Sequence, residues 1–111
     1  MRLNLELLHR SGIEIEELVA TGGGARSRKW TQLKADVMGR PISTTPVSET
    51  GCLGGAILAR AAAEDAPLQD IAREMTSETE TLQPDPRRAE YYAERFETYE
   101  KLYPTLKSIR F

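Results

Sequence analysis

VATGGGARSRKWTQLKADVM, residues 19–38, is the stretch on which the reading of this chain turns. A short β-prone run, residues 17–21, passes directly into Gly22, Gly23 and Gly24. Its apolar residues are consecutive rather than alternating, which predicts a strand covered on both faces. Beyond the glycines, residues 27–38 read as a helix, with Trp30, Leu33, Val37 and Met38 on one stripe and Gly39 as its stop. Glycine opens backbone angles closed to other residues and lets a ligand approach the main chain. The start of a helix presents unpaired N–H groups and positive potential to an anion. Arg26, Arg28 and Lys29 add positive charge at that end, where the helix dipole disfavours it, so a bound phosphate would be a natural counterpart. The pattern has neither the GK[ST] of a Walker loop nor the third glycine of the dinucleotide fingerprint. On the residues alone, the stretch is either a ligand-binding turn or a solvated connection.

Working outward, residues 3–10 form a leucine-rich helix stopped at Gly12. On the other side, a second short strand spans residues 42–45 and Pro46 ends it. A third helix is expected from Ser48 as N-cap, with Glu49 in its first turn. Its early part, GCLGGAILA, is built of small residues. Each glycine costs a helix about 1 kcal/mol relative to alanine. The Gly54–Gly55 pair therefore predicts a neighbour packed close against the backbone, either the sheet or a nucleotide. A short helix over residues 68–75, an extended segment over 79–85 and a last helix beginning with Pro86 follow. Tyr92, Phe96, Tyr99, Tyr103 and Leu106 make a helical stripe, and Pro104 is expected to break or kink it. The fold class is α/β, a parallel β-α-β unit with flanking helices and a long C-terminal helix. Two strands make a poor independent sheet with exposed edges, so part of the fold is expected to lie elsewhere.

The chain has 111 residues, enough for one small domain. Lys and Arg number 15 against 17 Asp and Glu, for a net charge of -2, which argues against a nucleic-acid binder. No apolar run reaches the ~20 residues of a membrane span, and MRLNLELLHR does not read as a signal peptide. Cys52 is the only cysteine, which fits a reducing, cytoplasmic setting. It reads as a small packing residue. His9 has no acid or metal-ligand partner evident in sequence and reads as a surface helix residue. Asp36 reads as a structural hydrogen-bond acceptor rather than a metal site. The aromatic stripe reads as core, or as an interface where the fold is incomplete.

The segment TGGGARSRKWTQLKADVMGRP, followed by ETGCLGGAILA and by the ending from Gln83-Pro84 through Tyr91 to Tyr103-Pro104, resembles the C-terminal domain of the FGGY family of carbohydrate kinases, its xylulokinase-like members above all. The resemblance implies an actin-like, ribonuclease H-like fold and ATP-dependent phosphorylation of a sugar or polyol hydroxyl, xylulose or a related pentulose, with Mg2+ in the complete enzyme. It implies that Gly22, Gly23, Gly24 and Ala25 line the adenosine part of ATP or ADP and that Ser27 lies near the adenine, in place of the phosphate suggested by the helix start. Residues 1–111 would then be the C-terminal portion of the nucleotide-side domain. The sugar-binding N-terminal domain and the catalytic aspartate would lie outside them, so this chain alone is expected to be inactive and to hold no metal. It would be a fragment, a truncated gene product or one subunit of a split enzyme, associating with itself or with the missing part. The other reading is a non-catalytic interaction or dimerisation module that keeps part of the kinase fold.

Overall fold

A computed structural model describes residues 1–47, 49–76 and 80–109. Along the chain come α1 (Arg2–Arg10), β1 (Leu18–Ala20), a 3-10 turn (Gly23–Ala25), α2 (Arg28–Met38), β2 (Ile42–Thr44), α3 (Thr50–Glu64), α4 (Leu68–Met75), β3 (Glu80–Leu82) and α5 (Pro86–Ser108). The sheet has three strands rather than two, in the order β1-β2-β3. β1 and β2 are parallel, with Leu18 opposite Ile42 and Ala20 opposite Thr44. β3 adds antiparallel, with Leu82 opposite Ile42. Burial of Leu82 beside Ile42 is the reason the extended segment becomes a strand.

The core is Ala35, Met38 and Ile42, with Leu5, Leu18 and Ala20 packed against it. α2 lies between the sheet and α5, so its buried residues cover more than one stripe: Thr31, Ala35, Asp36 and Met38. Small residues at 31 and 35 let the helix backbone approach its neighbours. The bulky Trp30, expected in the stripe, stays 51% exposed at the rim, with the Lys34 ammonium 5.6 Å from its ring centroid.

Asp36 is fully buried and holds α2 to the start of α5. Its Oδ1 accepts from Gln32 Nε2 and from the Asp85 backbone N–H, both at 2.8 Å. Arg88 Nη1 lies 3.5 Å from Oδ2. Gln32 Nε2 also donates to the Gln83 carbonyl at 2.8 Å. Asp85 in turn caps α5, accepting from the backbone N–H groups of Arg87 and Arg88. Oδ1 thus has two donors, whereas buried Oδ2 has no hydrogen-bond donor among the described residues and is compensated only by the charge of the Arg88 guanidinium.

Several expectations are corrected. The sheet is covered on one face only, for Val19 is 66% exposed. On that open face the Ser43 hydroxyl bridges the Glu17 carboxylate and Thr81 Oγ1. α3 packs chiefly on α4, burying Ile57 and Ile71, and Arg60 joins the two helices. Hydrogen bonds to Glu64, then Glu74, hold the Arg60 guanidinium above its usual range. A Cβ added at Gly51, Gly54 or Gly55 would meet nothing within 4 Å, so no described residue packs against those glycines. Ser48, expected as the cap of α3, lies outside the described residues. The N-cap is Glu49, without a side-chain bond. Residue 79 of the extended segment also lies outside them. Cys52 is exposed rather than packed. His9 has an acid partner after all, Glu14 at 2.8 Å across the turn that follows α1. α5 runs unbroken through Pro104 to Ser108, because the missing N–H costs one bond close to the helix end. The radius of gyration is 18.4 Å, against about 13 Å for a compact domain of about 100 residues. Among the described residues no helix is long and apolar enough to cross a membrane.

Candidate functional site

Because β1 and β2 are parallel, their carboxyl ends lie side by side, and ligands of α/β sheets bind outside such ends. Here the chain leaves β1 through Thr21 and the glycine turn, and leaves β2 through Thr45 and Pro46. Gly22 has φ 77° and ψ -172°, a conformation essentially reserved for glycine. It swings the main chain away from the strand. The turn closes with Ala25 N–H donating to Gly22 O at 3.0 Å and Arg26 N–H to Gly23 O at 3.3 Å.

Between these exits lies a cleft of about 240 Å³. Thr21, Gly22 and Ala25 form one wall. Thr44, Thr45 and Val47 form the second, and β3 closes the floor with Leu82. Two arginines stand at the mouth. Arg28 Nε is 2.8 Å from Glu80 Oε1, and Arg26 Nη2 is 3.6 Å from Glu49 Oε1. Both pairs are well exposed, and exposed ion pairs are weak enough for an arriving anion to compete for the cation. The volume falls below the roughly 300–1,000 Å³ of ordinary ligand pockets.

Of the residues expected to meet a ligand, Gly22 and Ala25 line this cleft. Gly23 and Gly24 are exposed on the turn and do not line it. A Cβ on Gly23 would meet nothing, and one on Gly24 would touch only Lys34 Nζ at 3.6 Å. Ser27 caps α2, its hydroxyl accepting from Trp30 N–H at 3.3 Å. Arg26 and Arg28, singled out in the sequence for their positive charge, also line the cleft, whereas Thr21, Thr44, Thr45 and Glu80 escaped the sequence reading. The parallel β-α-β unit contained the signal for Thr44 and Thr45, since it sets both strand ends together. Glu80 had none, because its place depends on a pairing across 36 residues of sequence. Among the described residues no three His, Cys, Asp or Glu side chains converge as metal ligands would.

The C-terminal domain of the FGGY family of carbohydrate kinases matches residues 1–63. Xylulose kinase of Escherichia coli K12 is 34% identical over 104 residues, covering 92% of this chain and 21% of the relative. Autoinducer-2 kinase of Klebsiella pneumoniae is 35% identical over 97 residues, covering 84% and 18%. The crystal structure of a xyloylose kinase from Brucella ovis superposes with a TM-score of 0.77 at 32% identity, over 98% of this chain and 22% of that one. The chain thus spans about a fifth of the length of the relatives it matches.

Proposed function

The chain belongs to the FGGY family of carbohydrate kinases, and we propose that its glycine turn is the adenosine-facing wall of the ATP site in an enzyme that phosphorylates a sugar or polyol hydroxyl. The observation that carries this is the cleft at the carboxyl ends of β1 and β2, entered through a Gly22 whose conformation no other residue adopts readily. The half-buried Gly22 and Ala25 at the cleft wall, with exposed Gly23 and Gly24 between them, let a flat base and ribose approach the main chain closely. Thr21, Thr44 and Thr45 give hydroxyls able to bond the ribose. Arg26 and Arg28 offer positive charge toward the phosphates, in exchange for the carboxylates they pair with now.

In this reading the residues here hold and orient the nucleotide, and proton abstraction from the sugar falls to a carboxylate outside them. Mg2+ supplies charge neutralisation at the phosphates when bound, and we assign no residue described here to it. The relatives are named for different substrates, xylulose and autoinducer-2, and we infer a pentulose such as xylulose as the acceptor. With ATP as the proposed donor, we infer a cytoplasmic setting for the reaction.

Titration of the chain with ATP and ADP, followed through backbone amide resonances, tests the assignment. Saturable shifts centred on residues 21–28 and 44–47 are expected, with affinity weakened because the opposite wall is missing. Unchanged resonances up to millimolar nucleotide would overturn it. Sugar-dependent ADP release by the chain at about 1–100 s⁻¹, the ordinary range for kinases, would sink the claim that proton abstraction lies outside these residues.

A further inference from the structure

Among the described residues that line the cleft, the charged ones are Arg26, Arg28 and Glu80. An acid is out of place in a site for a polyanion, because like charges repel. Its position follows from the register of β3. Residues 80 and 82 lie on one face of the sheet, and Thr81 lies on the other, where it meets Ser43. Leu82, opposite Ile42, is buried under α2. Glu80 is one pair further along that face, opposite Thr44, whose hydroxyl donates to the Glu80 carbonyl at 3.4 Å. There α2 has only begun, at Arg28, so the helix no longer covers the strand and Glu80 enters the cleft.

Arg28 Nε holds Glu80 Oε1 at 2.8 Å, and both side chains are more than half exposed. In the nucleotide reading of the cleft, on which this inference rests, Arg28 turns to the phosphates and Glu80 loses its cation. A carboxylate can only accept hydrogen bonds, and a phosphate brings it no donor. The part of ATP that presents donors next to the phosphates is the ribose, with its neighbouring 2′ and 3′ hydroxyls. The amino group of adenine lies at the far end of the nucleoside. Glu80 and Thr44 are directly opposite in the ladder, so their Cβ atoms stand about 5 Å apart and both can reach one diol.

We propose that Glu80 is a specificity-determining residue for the ribose, accepting from its hydroxyls when Arg28 moves to the phosphates. The bonds are charge-assisted, so they favour a ribonucleotide over one without those hydroxyls. A plain staple of β3 to the start of α2, favoured by the helix dipole, would use the same ion pair. That staple would change stability and leave the choice between two nucleotides untouched.

Amide-shift titrations of the full chain with ATP and with 2′,3′-dideoxy-ATP separate the two roles. ATP is expected to bind about tenfold more tightly than the dideoxy analogue. Glu80→Ala should bring the two within about threefold of each other, and because both carry the same triphosphate, any effect of freeing Arg28 cancels in the ratio. Glu80→Gln, which keeps the size of the side chain, should also reduce the preference. Thr81→Ala, on the opposite face of the strand, should leave it as in the parent chain. Equal binding of the two nucleotides by the parent chain, or a preference undiminished in Glu80→Ala and Glu80→Gln, would overturn the role of Glu80 while ATP shifts at residues 21–28 preserved the nucleotide site. Absence of any ATP-induced shift would overturn both.

Discussion

Two helices of this chain carry runs of small residues, and they end differently. On α2, Thr31 and Ala35 are fully buried, and the helix sits between the sheet and α5. On α3, Gly51, Gly54 and Gly55 face open space, and the helix touches mainly α4. In the body around α2, Gln32, Asp36, Gln83 and Asp85 are also tied together by hydrogen bonds, while, among the described residues, Thr31 Oγ1 and Asp36 Oδ2 stay buried without one. The α3–α4 pair is held by two isoleucines and the Arg60 ion pairs. Small residues in a helix thus state that something must come close. They do not state that the same stretch of chain supplies it. The relatives are about five times longer, and we propose that the remainder of such a chain covers the glycine face of α3.

The comparison can be broken most severely at Asp36. Asp36→Ala strips the acceptor from the Asp85 N–H and from Gln32, and about 3 kcal/mol of stability should be lost. The urea midpoint reads this directly, and a change below about 1 kcal/mol would mean that the clasp is incidental. Gly22→Ala comes next. Its backbone conformation would cost an alanine about 1–3 kcal/mol, and ATP-induced amide shifts should vanish with it. Gly23→Ala, at a residue without positive φ and with open space for a Cβ, should be close to neutral in stability.

On α3 the sign reverses. Gly54→Ala should stabilise this chain by about 0.5–1 kcal/mol, since the helix gains propensity and the new methyl meets nothing. The same substitution in a full-length relative should destabilise, because there the close neighbour is expected to be present. A loss in the isolated chain would show that α3 is covered by something already. Ser27→Ala, which removes a cap bond of 3.3 Å, should cost about 0.5–1 kcal/mol in thermal or urea unfolding without touching the cleft lining.

Local features were legible because their causes lie within a few residues. Gly39 ends α2 in the left-handed conformation, at φ 61°. Asp85 with Pro86 opens α5, and α4 keeps the bounds its spacing implied. The strand–glycine–helix order also located the turn that forms one side of the cleft. Less was legible at Trp30, whose place in the apolar stripe said nothing about which of two neighbours α2 would face more tightly. Pro104 was misread in the same way, as a local breaker in a helix whose continuation costs only one bond.

The sequence by itself therefore determined the parallel β-α-β unit, the glycine-only bend at its turn and the family to which these belong, because chirality, backbone sterics and end-capping act at short range. Only the tertiary structure decided that residues 80–82 would pair antiparallel with β2, that Asp36 would find its second donor, the Asp85 N–H, 49 residues away, and that Glu80 would face Arg28 across the mouth of the cleft. Those outcomes follow from which apolar surfaces bury one another, and no window of neighbouring residues contains that information.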